Sequence, residues 1–369
     1  MSQTEEAIES GAKRTGLPEY VVVMLGIAAT VAALVLMREF SGVVGPVFLA
    51  LNLIIAAYPI HRWLVGKGTP AWLAAAVMAL TVVVLLLLAV WSMAWTVNAL
   101  VNELTKPRYT AQYQTIYHGI TTFLAGFNIN LDNVGLNEVV TTINPSTITG
   151  AITTILSQTS SILGVVAVIV LTMVFLAMDG PSIDSRLRIV GLVNTRVGRA
   201  IGDFTRGVRR YWVVTTVFGL IVAVLDGVAL VIMHVPLALA WAVLSFLTNY
   251  IPNVGFFIGL VPPALLALFT GGWQLALAVV IVYAVLNVII QSVIQPRFTG
   301  ESVGVSVTVS FLSLLLWGFV LGPLGTLLAL PMTLLAKALL VDADPKARWV
   351  AALISSRPAE VLEPEASDG

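Results

Sequence analysis

Six long apolar segments dominate the sequence and limit what the chain can fold into. They cover residues 20–37, 43–60, 71–97, 162–178, 213–233 and 273–294. A helix needs roughly 17 to 25 apolar residues to cross the hydrocarbon core of a bilayer, and most of these segments are that long. Backbone groups within a bilayer must be satisfied inside the segment itself, which favours helices. The sequence therefore predicts an all-α, polytopic membrane protein with about six full spans.

The composition excludes several other classes of protein. Of the 369 residues, 58% are hydrophobic and 10% are charged, whereas soluble domains carry about 25% charged residues. This balance argues against a soluble globular protein and against a disordered chain. The 19 Lys and Arg residues equal the 19 Asp and Glu residues, so no overall basic field recruits nucleic acid. The absence of cysteine from the sequence excludes disulfides and thiolate chemistry.

Two further apolar regions, 237–270 and 305–340, are interrupted near their centres. The breaks are Asn249, Pro252, Asn253 and Gly255 in the first region, and Gly318, Gly322, Pro323 and Gly325 in the second. The arm from Leu237 to Ile251 gives about 22 Å of helix, which falls short of a hydrocarbon core about 30 Å thick. Each region is therefore predicted to form a helical hairpin, either re-entrant or short, that returns the chain to the side from which it came.

The distribution of basic residues predicts the orientation. With the N-terminus inside, 16 of the 19 Lys and Arg residues fall in cytoplasmic segments, and only Arg38, Lys106 and Arg108 fall outside. Cytoplasmic loops of membrane proteins carry this excess of positive charge. We therefore expect both termini to lie in the cytoplasm.

The remaining segments complete the predicted organisation. In chain order, we expect a cytoplasmic leader (1–19), N-terminal transmembrane helices (20–97), an extracytoplasmic helical cap (98–161), one transmembrane helix (162–178), a basic cytoplasmic amphipathic region (179–212), a transport core (213–340) and a cytoplasmic polar tail (341–369). Within the cap, Ile116, Ile120 and Phe123 recur at helical spacing. The seven arginines from Arg186 to Arg210 alternate with apolar residues, as is typical of a helix at the headgroup surface.

The transport core is predicted to contain an inverted repeat. Helix 213–233 and the hairpin 237–270 match helix 273–294 and the hairpin 305–340, and the charge distribution makes the two halves enter from opposite sides. Interrupted apolar segments at corresponding positions of two halves point to a transporter site. The candidate path residues are Asn249, Pro252, Asn253, Gly255, Asn287, Gln291, Gln295, Pro323 and Gly325. Asn287, Gln291 and Gln295 share one helix face, where they either line a polar pathway or bond to neighbouring helices.

Asp226 is the one acidic residue that lies well inside a predicted span. A carboxylate within the membrane is a functional candidate by default, because an unpaired charge there is costly. Asp226 could load and release a proton or bind a cation as the hairpins move. Alternatively, it reaches the headgroups or pairs with a neighbouring helix, since the end of its span at Met233 is only about 10 Å away.

Motifs spread over most of the chain are shared with one family of bacterial membrane proteins. They cover 46–59, 175–180, 249–255, 287–304 and 322–331. In these motifs the chain resembles the autoinducer-2 exporter family. The resemblance implies a multi-span inner-membrane carrier, often a homo-oligomer, with some relatives exporting a signalling molecule and others exchanging sodium or lithium for protons. Relatives often have Glu where this chain has Gln295, which argues against an ion mechanism based on that carboxylate.

Other functional classes find less support in the sequence. No G-x-x-x-x-G-K-[ST] loop is present for an ATP-driven pump, and no H-E-x-x-H or G-x-S-x-G motif for an enzyme. We expect no cofactor, no metal site and no catalytic residues. The favoured function is a secondary transporter that exports a small polar solute or signalling molecule by alternating access of the two hairpins. The alternatives are a cation/proton antiporter of the same family and a passive channel.

Overall fold

The computed structural model describes residues 18–125, 147, 149–150, 159–251, 254–295, 306–343 and 347–355. The helices in these ranges are α1 (Glu19–Glu39), α2 (Ser41–Gly66), α3 (Ala71–Leu104), α4 (Pro107–Ala125), α5 (Thr159–Val193), α6 (Thr195–Ile232), α7 (Ala238–Thr248), α8 (Gly255–Asn287), α9 (Val307–Leu321), α10 (Pro323–Leu327), α11 (Ala329–Lys337) and α12 (Arg348–Ile354). Two π-helical turns, Val288–Ile294 and Ala338–Asp342, extend α8 and α11. No strand occurs in the ranges that the structure describes, so the prediction of an all-α protein is confirmed.

Five helical segments within the described ranges are long and apolar enough to cross a membrane. By length and composition they are Ser41–Gly66, Ala71–Leu104, Leu163–Gly180, Thr195–Ile232 and Gly255–Gln291, and the last of these is divided at Gly272. The first predicted span, 20–37, lies within α1, a helix of 21 residues whose side chains are mostly exposed. The polytopic membrane architecture that the apolar runs predict is therefore present.

The basic stretch 179–212 is not a separate helix. Its first part continues α5 as far as Val193, and its second part begins α6, whose first turn is capped by the Asn194 side chain accepting from the backbone N–H groups of Arg196 and Val197. Ala200, Phe204 and other residues on one face of this part of α6 are buried in the protein core. In α6, the buried face of the second part of the basic stretch therefore continues directly into the buried face of the following span.

The first hairpin consists of α7 and the part of α8 that precedes Gly272. The described residues at its tip are 249–251 and Val254. Gly272 has φ of 74° and ψ of −171°, which reverses the chain inside α8; glycine adopts such angles at little cost. The part of α8 after Gly272 and the π-turn Val288–Ile294 form the linking helix between the two hairpins. The second hairpin consists of α9, a tip at Gly322, and α10 with α11.

Contacts with α6 give the relative direction of the hairpins. Near the middle of α6, the Tyr211 hydroxyl donates to the backbone carbonyl of Tyr250 in the tip of the first hairpin, at 2.9 Å. Gly207, one turn earlier, lies against Leu334 in the returning arm of the second hairpin. The tip of the second hairpin lies elsewhere, with Leu324 against Gly45 of α2. The tip of one hairpin therefore meets the far end of the other, and the hairpins are inverted.

Among the described residues, two large hydrophobic cores organise these helices, and a third, small one joins Phe218 and Val222 of α6 to Ile290 of the π-turn. The larger core, which we call the scaffold core, joins α2, α3, α5 and α6 to the second hairpin, and includes Phe48 and Trp317. The smaller core joins the first hairpin, the linking helix and the start of α4, and includes Trp241 and Tyr109. The second hairpin is thus part of the scaffold core, whereas the first hairpin packs mainly in the smaller core, which also contains Leu104 of α3 and Leu230 of α6.

A charged cluster fixes the corner between α3 and α4. Glu103, at the end of α3, is buried and forms ion pairs with Lys106 and Arg108. It also accepts a hydrogen bond from the hydroxyl of Tyr109 at 2.7 Å. The Tyr109 ring packs edge-on against Phe269, with 6.4 Å between the ring centroids. The corner thereby holds the start of the predicted cap against the first hairpin, close to its reversal at Gly272.

Candidate functional site

Asp226 lies on the buried face of α6, where its side chain is 1% exposed. Val222 and Leu230, one turn away on either side, are buried as well. Both carboxylate oxygens of Asp226 lack a hydrogen-bond partner among the described residues. An isolated buried carboxylate is costly unless a proton or a cation neutralises it, so its surroundings decide what it can bind.

A small pocket encloses Asp226 between α6, the first hairpin and the linking helix. Its lining residues are Val222, Asp226, Ser245, Thr248, Asn249, Gly255, Phe256, Gly259, Tyr283 and Asn287. The pocket has a free volume of about 10 Å³, which is close to the minimum for a single water molecule. At this volume the Asp226 pocket accommodates a proton or one ligand the size of a water molecule, and a larger solute would require the hairpin to move.

Glycines bring the two arms of the first hairpin together around the Asp226 pocket. A Cβ added at Gly255 would overlap the backbone carbonyl oxygen of Thr248, and one at Gly259 would lie 3.1 Å from the Thr248 hydroxyl oxygen. Gly227 of α6 approaches Ala242 of α7 in the same way, with 2.9 Å between an added Cβ and the Cβ of Ala242. Small residues of this kind allow helices to pack closely inside a membrane. The close approach of the helices at these glycines keeps the Asp226 pocket small.

Hydroxyl groups from both sides face the carboxylate. Ser245 of α7 lies beside Asp226 and beside the hydroxyl of Tyr283. Neither Asp226 nor the Tyr283 hydroxyl reaches hydrogen-bond geometry with a partner in the described part of the chain. An unsatisfied buried polar group costs about 1 to 3 kcal/mol, and such groups in a native fold call for an explanation. The pocket therefore holds two polar side chains that are free to bind a ligand.

Three amides extend this polar site toward the tip of the first hairpin. The Gln291 side-chain nitrogen donates to Asn249 Oδ1 and to Asn287 Oδ1, both at 2.9 Å. Asn249 Nδ2 in turn donates to the backbone carbonyl of Thr215 on α6 at 3.3 Å, and Asn287 Nδ2 donates to that of Tyr283 at 2.9 Å. This amide cluster of Asn249, Asn287 and Gln291 connects the tip, the linking helix and α6.

The π-turn Val288–Ile294 places Gln291 in the amide cluster. Regular α-helix ends at Asn287, and the turn that follows is wider. Single π-turns inside helices occur frequently at functional sites, because they alter the direction in which side chains point. The regular spacing that predicts one face for Asn287, Gln291 and Gln295 does not reveal this turn.

The region that contains the pocket and both hairpins matches a family model. The model, described as AI-2E family transporter, covers residues 21–343. The chain belongs to this family. The resemblance seen in the sequence motifs is thereby confirmed, and residues 213–340 lie entirely within the matched range.

Curated relatives match over most of their length. A putative transport protein of Haemophilus influenzae is 28% identical over 337 residues, which cover 89% of this chain and 95% of the relative. The AI-2 transport protein TqsA of Escherichia coli is 28% identical over 319 residues, covering 86% and 90%. The putative transport protein MT0215 of Mycobacterium tuberculosis is 28% identical over 317 residues, covering 83% and 84%. The chain is therefore similar to transport proteins along nearly its whole length.

The structure brings together some of the site residues predicted for this AI-2E transporter. Asp226, Asn249, Gly255 and Asn287 line one pocket, and Gln291 bonds to two of them. Pro252 and Asn253 lie outside the described residues. Gln295 directly follows the π-turn, whereas Pro323 and Gly325 lie in α10, next to the tip of the second hairpin; none of these three is among the lining residues of the Asp226 pocket.

Sequence reasoning missed three polar residues of the pocket. Ser245 and Thr248 are three positions apart on α7, and Tyr283 precedes Asn287 by four positions on α8. These spacings place each pair on a single helix face. Isolated hydroxyl residues in apolar helices are common, so the pairs become informative only when the structure turns them toward Asp226.

The second hairpin of this AI-2E transporter also contains polar residues, but they are satisfied within the hairpin. The Trp317 indole N–H donates to Thr333 Oγ1 at 3.0 Å, and the Thr333 hydroxyl donates to Ser313 Oγ at 2.7 Å. The Ser313 hydroxyl donates to the carbonyl of Val309 at 2.6 Å. Among the described residues of the second hairpin, no buried side-chain nitrogen or oxygen lacks a hydrogen-bond partner as the Asp226 oxygens do. The inverted hairpins therefore differ in their polar chemistry.

Proposed function

We propose that this AI-2E family member is a secondary transporter that exports a small polar solute, and that the Asp226 pocket couples transport to a proton or a monovalent cation. The buried Asp226 carboxylate, with two unpaired oxygens, is the observation that supports this role. Burying an ionised carboxylate without a partner is unfavourable. Loading by a proton or cation would therefore stabilise the closed pocket, and release would favour its opening.

Movement of the first hairpin supplies the alternation of access. Its tip and both arms form one side of the Asp226 pocket, while α6 and the linking helix form the other side. Broken helices at the interface of inverted repeats are the usual location of substrate and ion sites in secondary transporters. In this proposal, the hairpin moves relative to α6, and the pocket is exposed to one side of the bilayer at a time.

A cation/proton antiporter is the second candidate function. Its support is the small free volume beside Asp226 together with an oxygen-rich lining of carboxylate, hydroxyl and amide groups. Oxygen donors around an unwound helix are typical of cation coupling sites. In that case the cation itself is the cargo, and no polar metabolite crosses. A passive channel would differ from both, because its flux would not saturate.

Reconstituted liposomes test the proposal directly. Wild-type protein and Asp226→Asn are compared in uptake of a panel of monovalent cations and small polar metabolites, with and without an imposed pH gradient. Asp203→Asn is the matched control, since Asp203 lies on the same helix but is exposed and paired with Arg206. The asparagine at 226 keeps the size and hydrogen-bonding capacity of the aspartate and removes its charge.

The expected result is gradient-driven flux of at least one solute in the wild type. Asp226→Asn should lose the response to the pH or cation gradient, whereas Asp203→Asn should retain it. Saturable flux of a metabolite would favour the solute carrier, and saturable flux of a cation alone would favour the antiporter. Identical gradient responses in wild type and Asp226→Asn would contradict the coupling role of Asp226.

We also propose a membrane location, an orientation and an oligomeric state for the protein. We place it in the bacterial inner membrane, with both termini in the cytoplasm, as a homo-oligomer. The distribution of basic residues supports the orientation, and the large exposed apolar surfaces of α1 and α3 exceed what enclosing one pocket requires. Mass measurement in nanodiscs tests the assembly, because a uniformly monomeric particle would exclude it.

A further inference from the structure

The tip of the first hairpin is held against α6 by both polar groups of Tyr250. Its backbone carbonyl accepts from the Tyr211 hydroxyl at 2.9 Å, and its own hydroxyl lies 2.8 Å from Thr216 Oγ1. The Thr216 hydroxyl donates its proton to the carbonyl of Trp212 at 2.7 Å, so Tyr250 is the donor to Thr216. Tyr211 and Thr216 therefore bind the same tip residue from two turns of α6.

Aromatic packing reinforces these two hydrogen bonds. The Tyr250 ring packs against Trp212 of α6, with 5.4 Å between centroids, and against Phe246 of α7, with 5.6 Å. Tyr250 and Val254 also pack against the scaffold core, to which most of the first hairpin does not belong. Tyr250 and Val254 thus attach the end of the first hairpin to the scaffold core, while the rest of α7 packs along α6, as Gly227 does against Ala242.

This attachment adjoins the Asp226 pocket without forming part of it. Asn249, the residue before Tyr250, lines the pocket, whereas Tyr211, Thr216 and Tyr250 do not. Displacing Tyr250 from α6 would carry Asn249 away with it and open the pocket wall. Asp226 lies further along α6 than Thr216, so the opening would come from the start of α6, which is the predicted cytoplasmic side.

The tip of the second hairpin is attached differently. Leu324 makes an apolar contact with Gly45, and the hydroxyl of Thr326 donates to the carbonyl of Pro323 within the tip itself. The polar attachment to α6 is therefore specific to the hairpin that closes the Asp226 pocket.

We infer that Tyr211 and Thr216 are positioning residues that lock the tip of the first hairpin, and that this tip is the gate between the Asp226 pocket and the cytoplasmic side. The inference takes the Asp226 pocket from the proposed function as the compartment that is gated. It does not depend on which solute crosses, because the locked and released states differ in the exposure of the pocket itself.

Cysteine accessibility tests the gate independently of transport. The natural chain lacks cysteine, so Ser245→Cys or Thr248→Cys places a single reporter in the pocket wall. The reporter is reacted with 2-aminoethyl methanethiosulfonate in liposomes, with reagent supplied to one face at a time. Tyr211→Phe and Thr216→Val are then added separately to each reporter, because each removes one hydrogen bond to Tyr250 and retains the size of the side chain.

Two matched controls separate gating from general loosening. Tyr20→Phe removes a tyrosine hydroxyl from exposed α1, and Ser313→Cys places a reporter at a buried position of the second hairpin. Since the labelling rate follows the population of the open form, loss of one hydrogen bond should raise it about fivefold in the pocket reporters. The increase should occur from the cytoplasmic face, with Ser313→Cys and Tyr20→Phe unaffected.

Two results would overturn the inference. Unchanged labelling of both pocket reporters in Tyr211→Phe and Thr216→Val would mean that the tip is not held by these residues. An equal increase at Ser313→Cys would mean that the substitutions loosen the whole fold. Neither result bears on whether Asp226 couples transport, and loss of coupling in the flux assay would not alter the labelling pattern.

Discussion

Gln291 donates a hydrogen bond to Asn249 at 2.9 Å and so joins two positions that are 42 residues apart in the chain. The bond connects the linking helix to the tip of the first hairpin, at the edge of the Asp226 pocket. The same side-chain nitrogen also reaches Asn287, and both of its protons are therefore used. Gln291 is the donor that holds the amide cluster together.

Gln291→Ala should destabilise the closed hairpin. Two partly buried amide oxygens would lose their donor, and the free energy of unfolding should fall by about 1 to 3 kcal/mol. Thermal unfolding in detergent, followed by tryptophan fluorescence, measures the change. Gln274→Ala is the control, because Gln274 is an exposed residue at the start of the same linking helix. Equal unfolding midpoints for the two variants would show that the amide cluster contributes no stability.

Glycines at the two hairpin tips should be intolerant of a methyl group. A Cβ at Gly255 would overlap the carbonyl oxygen of Thr248, and one at Gly325 would overlap that of Trp317. Because the obstructing atoms belong to the backbone, Gly255→Ala and Gly325→Ala should each cost about 1 to 3 kcal/mol or more. The same unfolding measurement applies to both variants.

Gly26→Ala provides the comparison for the tip glycines. Gly26 lies inside α1, and nothing occupies the space within 4 Å of an added Cβ. Alanine there should stabilise the helix by roughly 0.5 to 1 kcal/mol. If all three alanine variants unfold alike, close packing at the tips is not what requires glycine.

The apolar runs predict the spans and the Pro and Gly breaks predict the hairpins, because both signals are local. For example, the sequence places the end of the first hairpin at residue 270 and the start of the next span at residue 273. In the structure the chain reverses between them, at Gly272. The course of 179–212 is less evident from sequence. Its arginines indicate a surface, whereas in the structure its first part ends α5 and its second part begins α6, where Phe204 and Val208 pack into the scaffold core.

Labelling of the two tips should occur from opposite faces of the membrane. Val254→Cys marks the first tip and Pro323→Cys marks the second, each in the cysteine-free chain. The inverted hairpins and the distribution of basic residues lead us to expect cytoplasmic labelling of the first and extracytoplasmic labelling of the second. A membrane-impermeant maleimide applied to each face distinguishes the sides. Labelling of both positions from one face would contradict the inverted arrangement.

The corner at Glu103 should make stability depend on pH in the alkaline range. Burial of Tyr109, together with its hydrogen bond to Glu103, raises the pKa of Tyr109 from 10.0 to about 12. Below pH 10.0 the phenol is neutral in both folded and unfolded chains. Between pH 10.0 and about 12 the unfolded chain loses the proton while the folded chain keeps it, so stability falls as pH rises.

Tyr109→Phe should remove this part of the alkaline destabilisation. The unfolding midpoints of wild type and variant are compared below pH 10.0 and between pH 10.0 and 12, with Tyr20→Phe as the control for an exposed tyrosine. The difference between wild type and Tyr109→Phe should change over that interval. A difference that is constant with pH would mean that Tyr109 titrates as an ordinary tyrosine.

The candidate site is predictable from sequence only in part, because its residues meet through tertiary contacts. Asp226 stands out as a charge in an apolar span, and Asn249 and Asn287 stand out as amides. Tyr283 carries no such signal, since a tyrosine is ordinary in a membrane helix until its hydroxyl is found without a partner. The π-turn around Gln291 likewise follows from packing rather than from the composition of its apolar sequence.

The free volume of about 10 Å³ beside Asp226 has a consequence for selectivity. A metal ion entering so small a space must leave almost all of its hydration shell behind, because the space holds about one water molecule. The protein oxygens would have to replace that shell within a single closure of the hairpin. The cost of stripping water would then rank the ions that the closed pocket accepts, and a proton, which can arrive as a covalent O–H bond, would be exempt from that cost.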